Sequence, residues 1–281
     1  MKTVTERAYG KVNLFLAVGG KRPDGRHDVE TVLCRVGIYD TVTVREAAHG
    51  QIRLTSDVSG LPVNSENIAY LAALRYFEVS GKPHGIDIDI EKRIPIKAGM
   101  GGGSSDAASV LTALDKLYGD LSFFELHEIA SGIGADVPFF LYGRSVMLGR
   151  GTGTALTPCG EMGVTPYGVF VTHGEKQSTG KAYEALDAKK NGDFTLKKAD
   201  KLIEEIAKND VFGIAGAIEN DFELCSDTFS EVSGELYELG AMRAFLCGSG
   251  PTVCGLFPDR ESAEAASKAL HYPSFVSRVG V

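Results

Sequence analysis

Four glycines within five positions, Gly99, Gly101, Gly102 and Gly103, stand immediately before a stretch with apolar residues at helical spacing, Ala107, Val110, Leu111, Leu114 and Leu117. No other feature constrains the fold as tightly. Upstream, Ile86, Ile88 and Ile90 alternate with aspartates, the period-two pattern of a strand with one buried face. The local order is therefore strand, glycine loop, helix. Such a loop lets backbone amides approach an anion closely, and the helix that follows favours negative charge at its start. The run lacks the Gly-Lys-Ser/Thr ending of a Walker loop, and Ser104 stands where a dinucleotide fingerprint has its last glycine. These residues read chemically as a phosphate cradle, with a flexible surface turn as the alternative.

The elements around the loop read as an α+β chain. Lys11 to Val18 and Thr41 to Val44 have the composition and alternation of strands, separated by a polar turn at Lys21 to Gly25. Ser65 is placed to cap a helix carrying Ile68, Leu71, Ala72 and Phe77, and Gly81 ends it. Ser122 followed three residues later by Glu125 is a capping-box pattern, opening a helix that closes near Gly132 and Gly134. Beyond residue 160 the pattern predicts a strand at Gly168 to Thr172, a polar stretch from Lys189 to Asp200, and helices around Leu202 to Ala207 and Ile214 to Leu224. A strand pair flanks Gly248 to Pro251, and a helix from Glu261 to Leu270 precedes a strand from Phe275 to Val279. Gly149 to Gly153 reads as a turn between strands, without chemistry. The change of pattern divides the chain into residues 1–157 and 158–281.

The 281 residues are 43% apolar and 23% charged, enough to build one large core or two ordinary ones. A formal charge of −8 argues against wrapping a nucleic-acid backbone, since that affinity comes from Lys and Arg on phosphates. No run approaches the roughly 20 apolar residues that span a bilayer, and the first ten residues carry no apolar signal core, so the cytoplasm is the expected compartment. Five scattered cysteines without a Cys-x-x-Cys pair suggest neither disulfides nor a zinc site. No carboxylate cluster identifies a protein-bound metal. Oligomeric state, monomer or homodimer, is open.

Pro95-Ile96-Lys97-Ala98-Gly99-Met100-Gly101-Gly102-Gly103-Ser104-Ser105 resembles the phosphate loop of the GHMP kinase superfamily, with Met100 where leucine is common. Two further superfamily motifs occur in the expected order, Ala8 to Leu16 near the start and Leu246 to Cys254 near the end. Lys21 to Asp28, with Asp24-Gly25-Arg26-His27, and Gly134 to Phe139 resemble stretches of the 4-diphosphocytidyl-2-C-methyl-D-erythritol kinase family. The resemblance implies a ribosomal-S5-domain-2-like N-terminal domain that binds ATP and a ferredoxin-like C-terminal domain that closes over the substrate. It also implies Mg²⁺ brought with ATP and a cytidine-diphosphate-linked methylerythritol as the phosphoryl acceptor, in non-mevalonate isoprenoid synthesis.

Under that resemblance Lys11 and Asp136 are the catalytic pair and residues 95–105 the nucleotide cradle, while Asn13, Arg26, His27, Thr179 and Tyr183 bind substrate. By residue type alone, an Asp before Val-Pro is a turn or cap residue, and a lone Lys on a strand is a solvated one. Asn13 is either a hydroxyl ligand or a buried structural amide, and Tyr183 either stacks on the cytosine or packs as a core aromatic. His27 corresponds to the family's cytosine-reading histidine. Arg26 replaces the tyrosine that commonly precedes it, and a guanidinium can also stack on a base. Thr179, in Ser178 to Tyr183, falls near the substrate, and Ser65, Glu66 and Asn67 near the nucleotide. The loop Cys247 to Pro251 is either a supporting part of the site or a tight structural turn. The alternatives are another GHMP kinase, of homoserine or mevalonate type, and a non-catalytic nucleotide-sensing module.

Overall fold

The computed structural model describes residues 2–48, 50–82, 84–175 and 178–281. In chain order they form β1 (Thr3–Lys21), β2 (His27–Ala47), β3 (Ile52–Ser56), α1 (Ile68–Ser80), β4 (Gly85–Glu91), α2 (Gly102–Tyr118), α3 (Phe123–Ile133), α4 (Val137–Leu141), β5 (Val146–Gly151) and β6 (Ala155–Pro158). There follow β7 (Tyr167–Thr172), α5 (Thr179–Lys190), α6 (Asp200–Lys208), α7 (Val211–Ala217), β8 (Glu219–Asn220), a 3₁₀ turn at Asp221–Cys225, α8 (Asp227–Glu238), β9 (Arg243–Leu246), β10 (Thr252–Phe257), α9 (Arg260–Ala269) and β11 (Ser274–Arg278). The strand, glycine loop and helix follow in the expected order. Among the described residues no helix is long and apolar enough to cross a membrane.

Two compact units share the chain. The first comprises Met1–Gly10, Ile38–Ile94 and Gly101–Gly143. Here β4 runs antiparallel to the second half of β2 and parallel to β3, so that Ile88 lies opposite both Val44 and Leu54. The three isoleucines of β4 are buried, and Tyr76 and Phe77 of α1 with Val110, Leu111 and Leu114 of α2 belong to the same apolar cluster. Each such side chain contributes about 1.5–3 kcal/mol by leaving water. The helix ends follow local chemistry. Gly81, in the left-handed region at φ 64, closes α1 by donating to the Phe77 carbonyl, and Ser122 with Glu125 forms the capping box of α3. One cap differs from expectation: α1 starts from Asn67, whose side chain accepts from the Ala69 amide, and not from Ser65. Asn67 N–H itself donates to the Asn64 carbonyl, which places Ser65 inside the preceding turn.

The second unit comprises Lys11–Gly37, Pro95–Met100 and Arg144–Val281. The first half of β2 pairs antiparallel with β5 and β5 with β6, which makes Gly149 to Gly153 part of a hairpin. A separate antiparallel sheet has the order β11-β7-β10-β9. Taken as strands one to four of a βαββαβ unit, this is the fourth-first-third-second order of a ferredoxin-like fold. Val169, Val171, Leu246 and Val253 of this sheet cluster with Leu186, Val232 and Leu236 of α5 and α8. The helix expected from Ile214 to Leu224 ends at Ala217, and α8 was not foreshadowed at all. Asn220 explains the early stop. Its Nδ2 donates at 2.8 Å to the carbonyls of both Leu246 and Gly248, and its Oδ1 accepts from the Phe222 amide, a set of bonds made from extended backbone.

A buried charge network lies in the first unit at the end of β4. Lys92 Nζ donates to Asp40 Oδ2 and, at 2.7 Å, to Asp106 Oδ2, while Asp40 Oδ1 accepts from the Ile94 amide at 2.8 Å. The network thereby ties the residues entering the glycine loop to the first turns of α2. Burial lowers the affinity of Lys92 for its proton, but the Asp106 and Asp40 charges outweigh this and hold it above the ordinary lysine range. Asp106 Oδ1 is buried without a hydrogen-bond partner. Burial therefore pushes the Asp106 carboxyl up from 3.8 to about 7, against the pull of Lys92. In the folded chain it keeps a proton that the unfolded chain releases from pH 4 upward, so stability is greatest below that range and is lost as pH rises toward 7. Thermal melts from pH 5 to 8 should show a falling midpoint, and Asp106→Asn should flatten the slope. An unchanged slope in the variant would assign it to other groups.

Candidate active site

In the second unit the three motifs that lie far apart in sequence meet. The Lys11 amide donates to the Met100 carbonyl at 2.9 Å, joining β1 to the glycine loop. A Cβ built on Gly99 (φ 80) would lie 2.5 Å from the Cys247 carbonyl oxygen and 2.7 Å from that of Gly250, so the two loops touch backbone to backbone. A Cβ on Gly248 would fall 3.5 Å from Lys11 Nζ and 3.5 Å from Asn13 Oδ1. The loop Cys247 to Pro251 is thus a wall of the same small region as Lys11. Cys247 itself is inert, since burial raises its thiol to about 12 despite the nearby Lys11 charge.

Lys11 is buried, contrary to the solvated reading of its residue type. Its Nζ donates at 2.8 Å to Asn13 Oδ1; Asn13 Nδ2 donates at 2.8 Å to Thr31 Oγ1, and Thr31 donates to the Phe15 carbonyl. Alternation along β1 puts Lys11 and Asn13 on one side, and the relay through Thr31 fixes the amide so that its oxygen faces the ammonium. Asn13 is therefore at least a positioning group for Lys11. No motif pointed to Thr31; only its place on the adjacent strand brings it here.

The second half of the loop belongs to the first unit. Gly101, at φ 73, precedes the 17-residue helix α2 and offers no side-chain cap, so the first-turn amides are left to other acceptors. That is the feature an anion needs. A Cβ on Gly102 would press on Ile94 at 3.1 Å, whereas one on Gly103 would meet nothing nearer than Ile68 at 3.7 Å. Lys97 adopts φ 58, unusual for a residue with a side chain. Asp136 stands at the start of α4, which packs against α2. Its side chain does not cap that helix, so the cap role suggested by residue type is not the one it plays.

The residues assigned to the base also lie in the second unit. His27 is buried and stacks on Tyr183, with ring centroids 4.7 Å apart and planes 17° from parallel. Tyr183 meets Phe222 edge-on at 5.0 Å. Tyr183 thus sits on His27, combining a packing contact with a place beside the expected base reader. His27 Nε2 lies 2.9 Å from Asp187 Oδ1. Arg26 is exposed, in a turn where its amide donates to Asp24 Oδ1 at 3.0 Å. Thr179 is the exposed first residue of α5, capped by Ser178. Among the described residues no group of three or more His, Cys, Asp or Glu side chains could hold a metal ion.

Family models for the GHMP kinases N terminal domain and the GHMP kinases C terminal match residues 67–144 and 194–273. Structures of kinases from several branches superpose on the chain; the homoserine kinase from Cytophaga hutchinsonii, at 20% identity, has a TM-score of 0.71 and covers 100% of this chain with 95% of its own, which speaks for the fold. The fold is that of a GHMP kinase, a class that uses ATP to phosphorylate small molecules.

Relatives narrow this. Named 4-diphosphocytidyl-2-C-methyl-D-erythritol kinases from Geobacter metallireducens and Alkaliphilus oremlandii are 38% and 36% identical to it, each over 96% of this chain and over 95% and 93% of their own. A crystal structure of 4-(cytidine 5'-diphospho)-2C-methyl-D-erythritol kinase matches at a TM-score of 0.84 and 32% identity, covering 99% of this chain and all of its own. The chain belongs to the 4-diphosphocytidyl-2-C-methyl-D-erythritol kinase family.

Two alanine substitutions separate the glycine packed against backbone from the one with open space beside it. Gly99→Ala should destabilise by more than about 2 kcal/mol, because two carbonyl oxygens occupy the methyl position and the backbone is left-handed. Gly103→Ala should leave stability unchanged or raise it by up to about 1 kcal/mol, as alanine favours a helix, while raising the KM for ATP. Equal destabilisation of both variants in urea would contradict this division.

Proposed function

We propose that the chain transfers the γ-phosphoryl of ATP to the 2-hydroxyl of 4-diphosphocytidyl-2-C-methyl-D-erythritol, giving the 2-phosphate and ADP, a step of non-mevalonate isoprenoid synthesis. The observation that carries the reading is the meeting of Lys11, the glycine loop and the Cys247 to Pro251 loop. In this reading residues 95–105 cradle the phosphates through backbone amides and the uncapped start of α2. Lys11, buried and oriented by Asn13, places its ammonium where charge develops on the transferring group. Phosphoryl transfer asks mainly for positioning and charge stabilisation, so one ammonium and one carboxylate suffice. Asp136 is that carboxylate, orienting the hydroxyl and accepting its proton. Mg²⁺, brought by the nucleotide, neutralises phosphate charge.

His27 reads the cytosine edge, Arg26 stacks on the base and Thr179 binds nearby. Tyr183 covers the base together with His27, because a base bonded edge-on in the plane of His27 continues the plane that Tyr183 already overlies. Residues 1–157 would then form the ATP-binding and catalytic domain and residues 158–281 the substrate-closing domain of a cytoplasmic enzyme, monomeric or homodimeric, without a nucleic-acid partner.

The deciding experiment measures ADP release with Mg·ATP against the cytidine-linked acceptor, homoserine, mevalonate and galactose. Turnover should require the cytidine-linked acceptor. Turnover with another acceptor alone would discard this substrate, and none with any would point to a sensing module. Asp136→Ala should cut kcat by roughly 10²-fold or more with ATP affinity within a few-fold; undiminished turnover would remove its role. Arg26→Ala should raise the KM for the cytidine substrate well above any change for ATP, whereas a matched rise in both would mark Arg26 as structural.

A further inference from the structure

Helix α5 presents Tyr183 and Asp187 one turn apart, on the same face. Both meet His27: the tyrosine ring stacks on its face, and the carboxylate bonds its edge through Oδ1 to Nε2 at 2.9 Å. The other carboxylate oxygen, Oδ2, lies 3.0 Å from Lys21 Nζ. Burial alone would raise the Asp187 carboxyl, but the bonds to Lys21 and His27 outweigh it and hold it below the ordinary range, so the group is ionised. An ionised carboxylate accepts and cannot donate. Nε2 must then carry the ring proton, and in the neutral imidazole Nδ1 is left as a lone-pair acceptor. Among the described residues Nδ1 has no hydrogen-bond partner.

From this geometry we infer that Asp187 is a positioning residue for base recognition: it locks His27 with its proton on Nε2, so that Nδ1 accepts from an exocyclic amino group. An aminopyrimidine such as cytosine offers that donor. Uracil presents a carbonyl oxygen at the same place, and two acceptors facing each other leave both unpaired. The inference rests on the reading that His27 meets the base. Lys21 supports the lock by keeping Asp187 charged, and Tyr183 supports it by keeping the imidazole in one plane.

The test compares kcat/KM for the cytidine-diphosphate-linked acceptor and its uridine analogue in the full chain. Long-range ¹H–¹⁵N spectra of histidine-labelled protein report the His27 tautomer in the same samples. The wild type should carry the proton on Nε2. Asp187→Ala should lower the cytidine preference by about tenfold or more, through a higher KM for the cytidine acceptor, with kcat and the KM for ATP within about twofold. A wild-type proton on Nδ1 would overturn the inference, as would a loss in Asp187→Ala shared by kcat, ATP binding and thermal stability, the mark of a structural role. His27→Gln separates the layers. If it abolishes the preference while Asp187→Ala leaves it intact, the lock alone fails; if His27→Gln leaves the preference intact, the base-reading role of His27 fails and the lock with it.

Discussion

The close approach of two glycine-bearing loops governs the candidate site. Where Gly99 meets the carbonyls of Cys247 and Gly250, the gap is too small for any side chain, and the left-handed backbone at Gly99, Gly248 and Gly250 is the shape that lets it close. A methyl group at Gly99 would hold the loops apart. Lys11 depends on these loops twice, through the hydrogen bond its amide donates to the Met100 carbonyl and through the space that Gly248 leaves beside its ammonium. Backbone hydrogen bonding and steric exclusion thus set the place of the charge before electrostatics acts.

Around that contact the polar groups are arranged in relays with few loose ends. The chain Lys11, Asn13, Thr31 and the Phe15 carbonyl orients one ammonium. Asn220 saturates the carbonyls of Leu246 and Gly248 that the turn would otherwise leave open, and it accepts from Phe222 as well. Buried polar atoms without partners cost about 1–3 kcal/mol each, so such relays act as selection for one geometry. In the first unit Asp106 keeps one oxygen unpartnered, and the chain answers by raising its affinity for a proton.

The division of labour between the two units follows their cores. Helices packed over β4 hold the start of α2 and the α4 segment bearing Asp136, while the second unit holds Lys11, the first half of the loop and the aromatic pair His27 and Tyr183. The family models fall on the two sides of residue 157, yet residues 11–37 and 95–100 group with the C-terminal part. Strands β1 and β2 each contribute residues to both units, which a linear reading of composition cannot register.

Sequence alone determined the features that depend on neighbours along the chain. The isoleucine alternation of β4, the capping box of Ser122 and Glu125, the glycine ends of α1 and α3, and the loop leading into α2 are all set by local sterics and hydrogen bonds within a few residues. The motifs also carried the family, because phosphate binding by backbone requires glycines in a fixed order. Tertiary structure decided what lies between distant segments. Asn67 replaced Ser65 as a cap because of a turn, Asn220 cut short a helix to serve carbonyls 26 and 28 residues away, and α8 took its place by packing. Thr31 beside Asn13 and Asp187 beside His27 carry no signature of their own. Their roles arise from strand pairing and helix docking, and a hydrogen bond between residues far apart in sequence leaves no trace in the spacing of either.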